Sequence, residues 1–430
     1  MEKFFKLSER GTNARTEAVA GITTFLAMAY ILAVNPALLS QTGMDAGGVF
    51  TATALASAIA TLVMAFAANL PVALAPGMGL NAFFTYTVVM GMGYSWQTAL
   101  TAVFLEGILF IVLSLLKVRE ALIKAIPLNI KKAVAVGIGL FITLIGLVDG
   151  GIVSSETGTI IGFVQLKGTA LVAIIGLVST IVLICLKVKG AIIIGMILTT
   201  LAGIPFGVTH VPENFSPFSL PAAPLFWKFD FSNIFTLKFF VVFFTFLFVD
   251  MFDTLGTLMG VAEQSNLKDK NGDIKNVNQA LLADAVGTVA GAMLGTSTVT
   301  SFVESTAGIA EGGRTGLTSL TTALMFLVAL FLSPLFLLVP SAASAPALII
   351  VGSMMMSAAS GIDFKDLSEG IPAFITIMTM PFAYSIATGI SWGIMSYVVC
   401  KVASRKFKDI SIITWILCMV FVAKTVLDAV

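Results

Sequence analysis

The sequence predicts an all-α polytopic membrane protein with 14 membrane-spanning segments, arranged as two inverted repeats of seven. Of the 430 residues, 58% are hydrophobic and only 11% are charged, whereas a soluble domain carries about 25% charged residues. Apolar runs of about 20 residues, the length that crosses a bilayer, recur along the whole chain. An odd number of spans in each half inverts the second half, which is a common plan among transporters.

A polar, proline-bearing loop over 210–227 separates the two halves. The predicted segments before this loop are 17–38, 48–68, 72–91, 97–116, 132–149, 168–186 and 190–208. The predicted segments after it are 237–261, 279–294, 298–311, 316–338, 345–359, 369–384 and 386–402. A last apolar run, 410–427, has no assigned place in the plan of seven plus seven.

Basic residues predict that the N-terminus is cytoplasmic, because Lys and Arg accumulate on the cytoplasmic side of membrane proteins. The polar start of the chain leads directly into an apolar segment, so no cleaved signal peptide is expected. The basic residues assigned to the cytoplasmic side are Lys3, Lys6, Arg10, Arg15, Lys117, Arg119, Lys124, Lys131, Lys132, Lys187, Lys189, Lys268, Lys270, Lys275 and Arg314.

The third and tenth segments contain residues that interrupt a helix. LPVALAPGMGLN (70–81) has two prolines and two glycines, and GTSTVTSFVESTAG (295–308) is dense in Ser, Thr and Val. Both predict a short strand leading into a half-helix. They correspond in a possible internal repeat with an offset of 227, which also pairs Thr61 with Thr288. Interrupted segments at matching positions of two halves indicate a binding site.

Carboxylates lie in and beside these segments. Asp250 and Asp253, in FLFVDMFDTLGT (246–257), project from one face of the eighth segment, and Glu304 starts the second half-helix. Asn81 lies one turn into the first half-helix. An ionised carboxylate at the bilayer centre costs at least ~2.5–3.5 kcal/mol. We therefore expect Asp250, Asp253 and Glu304 to couple proton movement to the binding of a solute. At least one of them should be protonated in some states.

Each polar residue also has a purely structural interpretation. Asp250 and Asp253 would then bond helix to helix, Glu304 would cap its helix, and Asn81 would be a satisfied buried amide. Glu106, midway along the fourth segment, either packs or relays protons. Asp284 is predicted to brace its own helix. Phe302 either stacks on a planar solute or packs against other apolar groups.

Two other function classes compete. An anion exchanger of the sulfate or bicarbonate type could use the same fold, but its site should contain a basic residue and half-helix dipoles. An intramembrane aspartyl enzyme needs two aspartates from different helices, and here both lie on one. The three cysteines lack metal-ligand spacing, so no metal site is predicted. Enzyme activity and a cofactor are not expected either. The net charge of +1 gives no reason to expect nucleic acid as a partner.

Several motifs resemble the signature segments of the AzgA-like purine permeases, a branch of the nucleobase/ascorbate transporter superfamily. They are TTFLAMAYILAVNP (23–36), APGMGLNAFF (75–84), FLFVDMFDTLGT, GTSTVTSFVESTAG and PAFITIMTMPFAYSIATGI (372–390). The resemblance runs essentially end to end. It implies a uracil-transporter-like fold in which the two short strands pair. Residues 1–118 and 236–340 would form a core (transport) domain, and 119–235 and 341–430 a gate (scaffold) domain.

The resemblance also implies the activity. It implies import of guanine or hypoxanthine, with adenine and xanthine as further candidates, by proton symport and an elevator-type motion. The protein would be a homodimer, embedded in the lipid of the plasma membrane. Its coupling ion would be the proton, and it would need no cofactor. By motif, Asp250 and Glu304 are the purine-binding acids, with Asp253 supporting. The complete predicted substrate site is Asp250, Glu304, Asn81, Asp253, Phe302, Val303 and Thr24.

Overall fold

The structure is a computed structural model that describes residues 2–115, 127–155, 161–265 and 276–429. Within these ranges, eight helices are long and apolar enough to cross a membrane, and four shorter apolar helices accompany them. The chain is therefore a multi-pass membrane protein. The predicted boundary between residues 118 and 119 lies outside the described residues, as do the predicted cytoplasmic residues Lys117, Arg119, Lys124, Lys268, Lys270 and Lys275.

Helices follow the predicted segments closely in both halves. The first half contains α1 (Glu2–Phe5), α2 (Ala14–Met28), α3 (Ile31–Leu39), α4 (Ala46–Val63), β1 (Leu74–Pro76), α5 (Met78–Ala82), α6 (Trp96–Leu115), α7 (Leu128–Asp149), β2 (Val153–Ser154), β3 (Gly162–Phe163), α8 (Thr169–Cys185) and α9 (Ala191–Gly203). The second half contains α10 (Leu237–Ser265), α11 (Val277–Leu294), β4 (Val299–Ser301), α12 (Ser305–Ala310), α13 (Gly316–Ala329), α14 (Ser333–Leu337), α15 (Ser341–Met355), α16 (Leu367–Phe382), α17 (Ile386–Ala403) and α18 (Ile412–Ala429).

Polar side chains fix where several helices begin. Asn13 accepts a hydrogen bond from the amide of Thr16 at 3.0 Å at the start of α2. Asp45 accepts one from the amide of Gly48 at 2.6 Å at the start of α4. Glu17 stabilises the start of α13 from another helix, because its carboxylate accepts bonds from the backbone and hydroxyl groups of Thr315 and Thr318. These acceptors satisfy amides that have no partner within their own helix.

The first predicted segment, 17–38, is divided. α2 ends at Met28, and Ala29 and Tyr30 form a turn before α3. Beyond the turn, the amides of Leu32 and Ala33 donate to carbonyls three residues back, at 3.1 and 3.0 Å. This spacing is tighter than that of an α-helix. Ala29 and Tyr30 keep right-handed helical dihedral angles, so α2 and α3 form one membrane span, 14–42.

The predicted strand and half-helix are confirmed in both interrupted segments. β1 leads into α5, which continues as a wider, π-type helix over Phe83–Gly91. β4 leads into α12, which ends at Ala310. The two strands pair antiparallel, with Leu74 opposite Ser301 and Pro76 opposite Val299.

The last apolar run, 410–427, forms helix α18, which packs against α17. Leu417, Cys418 and Phe421 are its buried side chains and belong to the main hydrophobic core. On the opposite side, Ile412, Ile416 and Met419 are exposed. The structure thus gives this run a packed position beside the last helix of the predicted plan.

Candidate functional site

The site is organised around the β1–β4 pair. The amide of Gly77 donates to the carbonyl of Thr298 at 3.0 Å, and the amide of Phe302 donates to the carbonyl of Ala73 at 3.0 Å. Ser305 adds a side-chain bond, because its hydroxyl accepts from the amide of Ala73 at 3.0 Å. These bonds extend the ladder beyond both ends of β4 and hold the start of α12 in a fixed position.

Two threonines support the strands in the same way. The hydroxyl of Thr61 donates to the carbonyl of Leu74 at 3.2 Å and accepts from its amide at 3.0 Å. The hydroxyl of Thr288 does the same for Val299, at 3.1 and 3.2 Å. Thr61 and Thr288 are partners in the repeat with the offset of 227. The residues that they hold are not partners in that repeat, because the same offset pairs Leu74 with Ser301 and not with Val299, so the internal repeat stays a prediction.

The two aspartates of α10 have different surroundings. Asp250 is fully buried, and the hydroxyl of Thr254 lies 3.5 Å from its Oδ1 and 2.7 Å from Oδ1 of Asp284. Asp253 is partly exposed and accepts a hydrogen bond from the hydroxyl of Thr300 in β4 at 3.3 Å. Asp253 also lies close enough to Glu304 and Asp284 for their charges to act on it. Asp284 braces α11 against α10 through Thr254, as the sequence predicted.

Glu304 immediately precedes α12 and is partly exposed. Its Oε1 accepts a hydrogen bond of 2.6 Å from the hydroxyl of Tyr30. Val303 beside it is 43% exposed, whereas Phe302 is buried with its ring centre 6.5 Å from that of Tyr30. Among the described residues, Glu304 accepts no side-chain bond from its own helix and forms no ion pair, so the structure does not support a simple capping role.

Asn81 lies at the other end of β4. Its side-chain oxygen accepts a hydrogen bond from the hydroxyl of Ser297, and the side chain is fully buried. Its amide nitrogen has no hydrogen-bond partner within the part of the chain that the structure describes. A buried amide usually satisfies its donors. Asn81 therefore offers two N–H groups that a solute carbonyl or ring nitrogen would satisfy.

Thr24 of α2 lies beside the second half-helix. Its hydroxyl is buried and, among the described residues, has no hydrogen-bond partner. α12 packs so closely here that a Cβ atom at Gly308 would overlap Thr24. Glu106 of α6 is also buried, and the hydroxyl of Thr298 donates to it at 3.3 Å. The contact connects Glu106 to the residues that lead into β4.

The predicted polar residues therefore lie along one stretch, residues 297–308, and do not all contact each other. Asn81 contacts its start, Asp253 contacts Thr300 in the strand, and Thr24 contacts its end. Asp250 is directed toward Thr254 and is placed one helical turn from Asp253. Across the described ranges, no group of three or more His, Cys, Asp or Glu side chains is arranged to hold a metal ion.

Four contacts of the site were not predicted, namely those made by Tyr30, Thr254, Ser297 and Thr300. All four have hydroxyls that donate to an acid or amide of the predicted site, that of Thr254 to Asp250 at 3.5 Å. Thr254 was detectable, because it follows Asp250 by one helical turn. Tyr30 lies in the motif TTFLAMAYILAVNP, where it is the residue with an aromatic ring and a polar end.

The arrangement has the chemistry of a site for a neutral planar solute with N–H groups. Carboxylate oxygens of Asp253 and Glu304 accept hydrogen bonds, the Asn81 amide donates them, and Phe302 and Tyr30 supply aromatic surface. Within the described residues, neither Asp253 nor Glu304 has a Lys or Arg at ion-pair distance. Neither acid therefore has beside it the basic residue that an anionic solute would require.

The sequence matches one family model and is similar to several named permeases. A family model described as a permease family (Xan_ur_permease) matches residues 15–392. A putative permease of Methanocaldococcus jannaschii is 48% identical over 429 residues, covering 99% of this chain and 98% of the relative. The guanine/hypoxanthine permease PbuG of Bacillus subtilis is 44% identical and covers 98% of each chain. The adenine permease AdeQ of Escherichia coli is 41% identical, covering 99% of this chain and 96% of the relative.

Solved structures give the fold. The transmembrane domain of the cyanobacterial bicarbonate transporter BicA has a TM-score of 0.63 at 16% identity, covering 88% of this chain and 97% of that chain. The structure of SLC26A9 has a TM-score of 0.62 at 13% identity, covering 90% of this chain and 65% of that chain. At these identities, the similarity describes the arrangement of the helices and not the solute.

Proposed function

Because the chain belongs to this permease family, we propose that it imports purine nucleobases by proton symport across the plasma membrane. Membership of a permease family makes the chain a transporter and not an enzyme. The relatives are named for guanine, hypoxanthine and adenine. We assign guanine and hypoxanthine as the main substrates, with adenine and xanthine as further candidates.

One observation carries the proposal: carboxylates from two separate elements of the second half, α10 and the start of α12, lie at the paired strands. Asp253 accepts a hydrogen bond from Thr300 in β4, and Glu304 lies three residues after the end of that strand. Two acids with no basic partner are costly at membrane depth unless water, a proton or a ligand stabilises them. A purine supplies N–H donors, and a coupling proton neutralises charge. The purine and the proton together thus supply the hydrogen-bond donors and the positive charge that the two acids need.

Glu304 is assigned to the Watson–Crick edge of the purine. Its Oε1 is already bonded to Tyr30, and among the described residues no other side chain donates to the carboxylate. A carboxylate pairs well with the ring N–H and amino group of guanine, because these are two parallel donors. Asp250 is assigned to the imidazole side, and the unsatisfied amide of Asn81 is assigned to a purine acceptor. Phe302, Val303 and Thr24 complete the site around these groups.

Asp250, Asp253 and Glu304 are assigned to proton coupling. Asp253 is the preferred carrier, because it is partly exposed and lies near two other acids. Binding of a proton there lowers the repulsion among them. We expect Asp253→Asn to keep purine binding while losing accumulation driven by a proton gradient. Asp250→Asn should weaken binding itself.

We further propose an elevator-type motion of a core domain (1–118 and 236–340) against a gate domain (119–235 and 341–430), in a homodimer with a cytoplasmic N-terminus. Contacts between the two are polar at both ends. Lys189 forms an ion pair with Glu311 at 2.7 Å, and the hydroxyl of Tyr86 donates to Asp149 at 3.1 Å. The Lys189–Glu311 pair is partly exposed and exchanges readily with water, which supports a sliding interface at that position, whereas the contact of Tyr86 is buried.

Uptake into proteoliposomes tests the proposal. Labelled guanine and hypoxanthine should accumulate when the outside is acidic, and a proton ionophore should abolish the accumulation. An excess of sulfate or bicarbonate should leave uptake unchanged. If these anions compete, or if no purine accumulates while sulfate does, the chain is an anion exchanger and the proposal is wrong.

A further inference from the structure

Tyr30 is a buried phenol whose hydroxyl lies against the main predicted purine ligand. Its side chain is 1% exposed, and its hydroxyl donates to Oε1 of Glu304 at 2.6 Å. The distance is at the short end of the range for hydrogen bonds between a hydroxyl and an oxygen. Tyr30 lies at the junction of α2 and α3, within one continuous apolar span, 14–42.

The backbone of Glu304 is fixed, but its carboxylate depends on Tyr30. The amide of Phe302 and the hydroxyl of Ser305, on either side of Glu304, are both bonded to Ala73. In contrast, the Tyr30 hydroxyl is the one side-chain donor to the carboxylate in the described part of the chain. A glutamate side chain has three rotatable bonds, so without this donor its oxygens would take several positions.

We propose that Tyr30 is a positioning residue that determines how well the site binds purines with a single N–H donor on the Watson–Crick edge. This inference rests on the proposed function and on Glu304 as its ligand. Guanine presents two donors, which engage both carboxylate oxygens and orient the group themselves. Hypoxanthine presents one donor, which engages one oxygen and leaves the orientation to Tyr30. The phenol therefore pre-organises the site for the weaker ligand.

Tyr30→Phe separates the hydroxyl from the ring. The phenylalanine ring keeps the contact with Phe302, and only the donor to Glu304 is lost. Because a hydrogen bond to a charged group contributes about 1.5–3 kcal/mol, we expect hypoxanthine affinity to fall about tenfold to a hundredfold. Guanine affinity should fall by a factor several times smaller. The readout is the ratio of the two dissociation constants, measured with labelled purines on the purified full-length protein.

Two controls make the ratio interpretable. Tyr397→Phe removes a phenol that donates to the backbone carbonyl of Asp409, away from the site, and should leave both constants unchanged. In a Glu304→Ala background, which removes the acceptor of the Tyr30 hydroxyl, adding Tyr30→Phe should no longer change the guanine-to-hypoxanthine ratio, because Tyr30 acts through the carboxylate. Thermal unfolding of each variant shows whether it is folded.

The outcomes are distinct. A larger loss for hypoxanthine than for guanine, absent from the Glu304→Ala background, supports the inference. Equal losses for both purines, or unchanged constants, overturn it while leaving purine transport intact. Failure of the parent protein to bind any purine overturns the proposed function instead. If Tyr30→Phe does not fold, Tyr30→Trp in the same assay serves as second variant, since it restores a donor and should retain hypoxanthine binding better than Tyr30→Leu.

Discussion

The two interrupted segments share one construction and differ in what they expose. Each has a three-residue strand followed by a helix, and each strand is held by a threonine hydroxyl from a preceding helix. The first segment is buried throughout 74–88, and its helical part continues to Gly91. The second ends after six helical residues, and Val303 is 43% exposed.

The side chains of the two segments differ in polarity as well as in exposure. The first segment is apolar apart from Asn81 and a few hydroxyls, whereas the second presents Glu304 beside a partly exposed surface. One backbone design therefore serves two purposes. The first segment provides a packed support with one amide, and the second provides the acid that a solute reaches. We infer that binding depends asymmetrically on two parts that the repeat makes alike.

The largest difference should come from adding a methyl group at Gly308, inside α12, and at Gly77, the residue that precedes α5. In Gly308→Ala the new Cβ would overlap Thr24 and the backbone carbonyl of Ala20, so α12 must move away from α2. In Gly77→Ala the nearest atoms belong to the Thr300 side chain, at 3.0 Å, and a small adjustment relieves the contact. We expect Gly308→Ala to abolish purine uptake or folding, and Gly77→Ala to retain most of both. Surface expression and labelled uptake measure the difference. Equal loss in the two variants would contradict the asymmetry.

A smaller effect is expected at Asn81. Asn81→Ala removes the buried amide that faces Ser297 and offers its N–H groups to the solute. Because a neutral hydrogen bond contributes about 0.5–1.5 kcal/mol, purine affinity should fall roughly threefold to tenfold. Asn35→Ala is the matched control, since Asn35 is also a buried amide but is bonded to Thr53 and Thr296. A dissociation constant unchanged by Asn81→Ala, with a loss confined to stability, would make Asn81 a structural residue.

The smallest difference should appear at the two strand-holding threonines, where the segments are alike. Thr61→Val and Thr288→Val each leave one buried amide and one buried carbonyl without the hydroxyl. We expect each to lower the free energy of unfolding by a similar amount, about 1–3 kcal/mol. Thermal unfolding in detergent gives the comparison. A much larger loss from one of the pair would show that the two strands are not supported equivalently.

Much of this organisation was predictable from local sequence. Runs of apolar residues gave the helices, because length and hydrophobicity alone decide which stretches cross a bilayer. Prolines and glycines in 70–81 and hydroxyl residues in 295–308 marked the two strands, because these residue types disfavour a continuous helix. The acids were visible because charge is rare in such segments.

Long-range pairing was not predictable. Tyr30 and Glu304 are 274 residues apart, and Asn81 and Ser297 are 216 apart. Nothing near Tyr30 in the sequence specifies which side chain it meets, because that depends on how α2 packs against α12. The turn at Ala29–Tyr30 was also not predictable from the sequence, because the surrounding residues are apolar and favour a continuous segment. Packing thus decided which polar groups became neighbours.

The central claim is that the second interrupted segment carries the purine-binding acid. Glu304→Gln keeps the size and hydrogen-bonding geometry of the side chain but removes its charge, whereas Glu311→Gln changes a glutamate at the other end of α12 that pairs with Lys189. Binding of labelled guanine to the purified proteins compares the two directly. We predict that Glu304→Gln weakens binding at least about tenfold, the loss of one charged hydrogen bond, and that Glu311→Gln binds like the parent. Parent-like binding by Glu304→Gln would contradict the account.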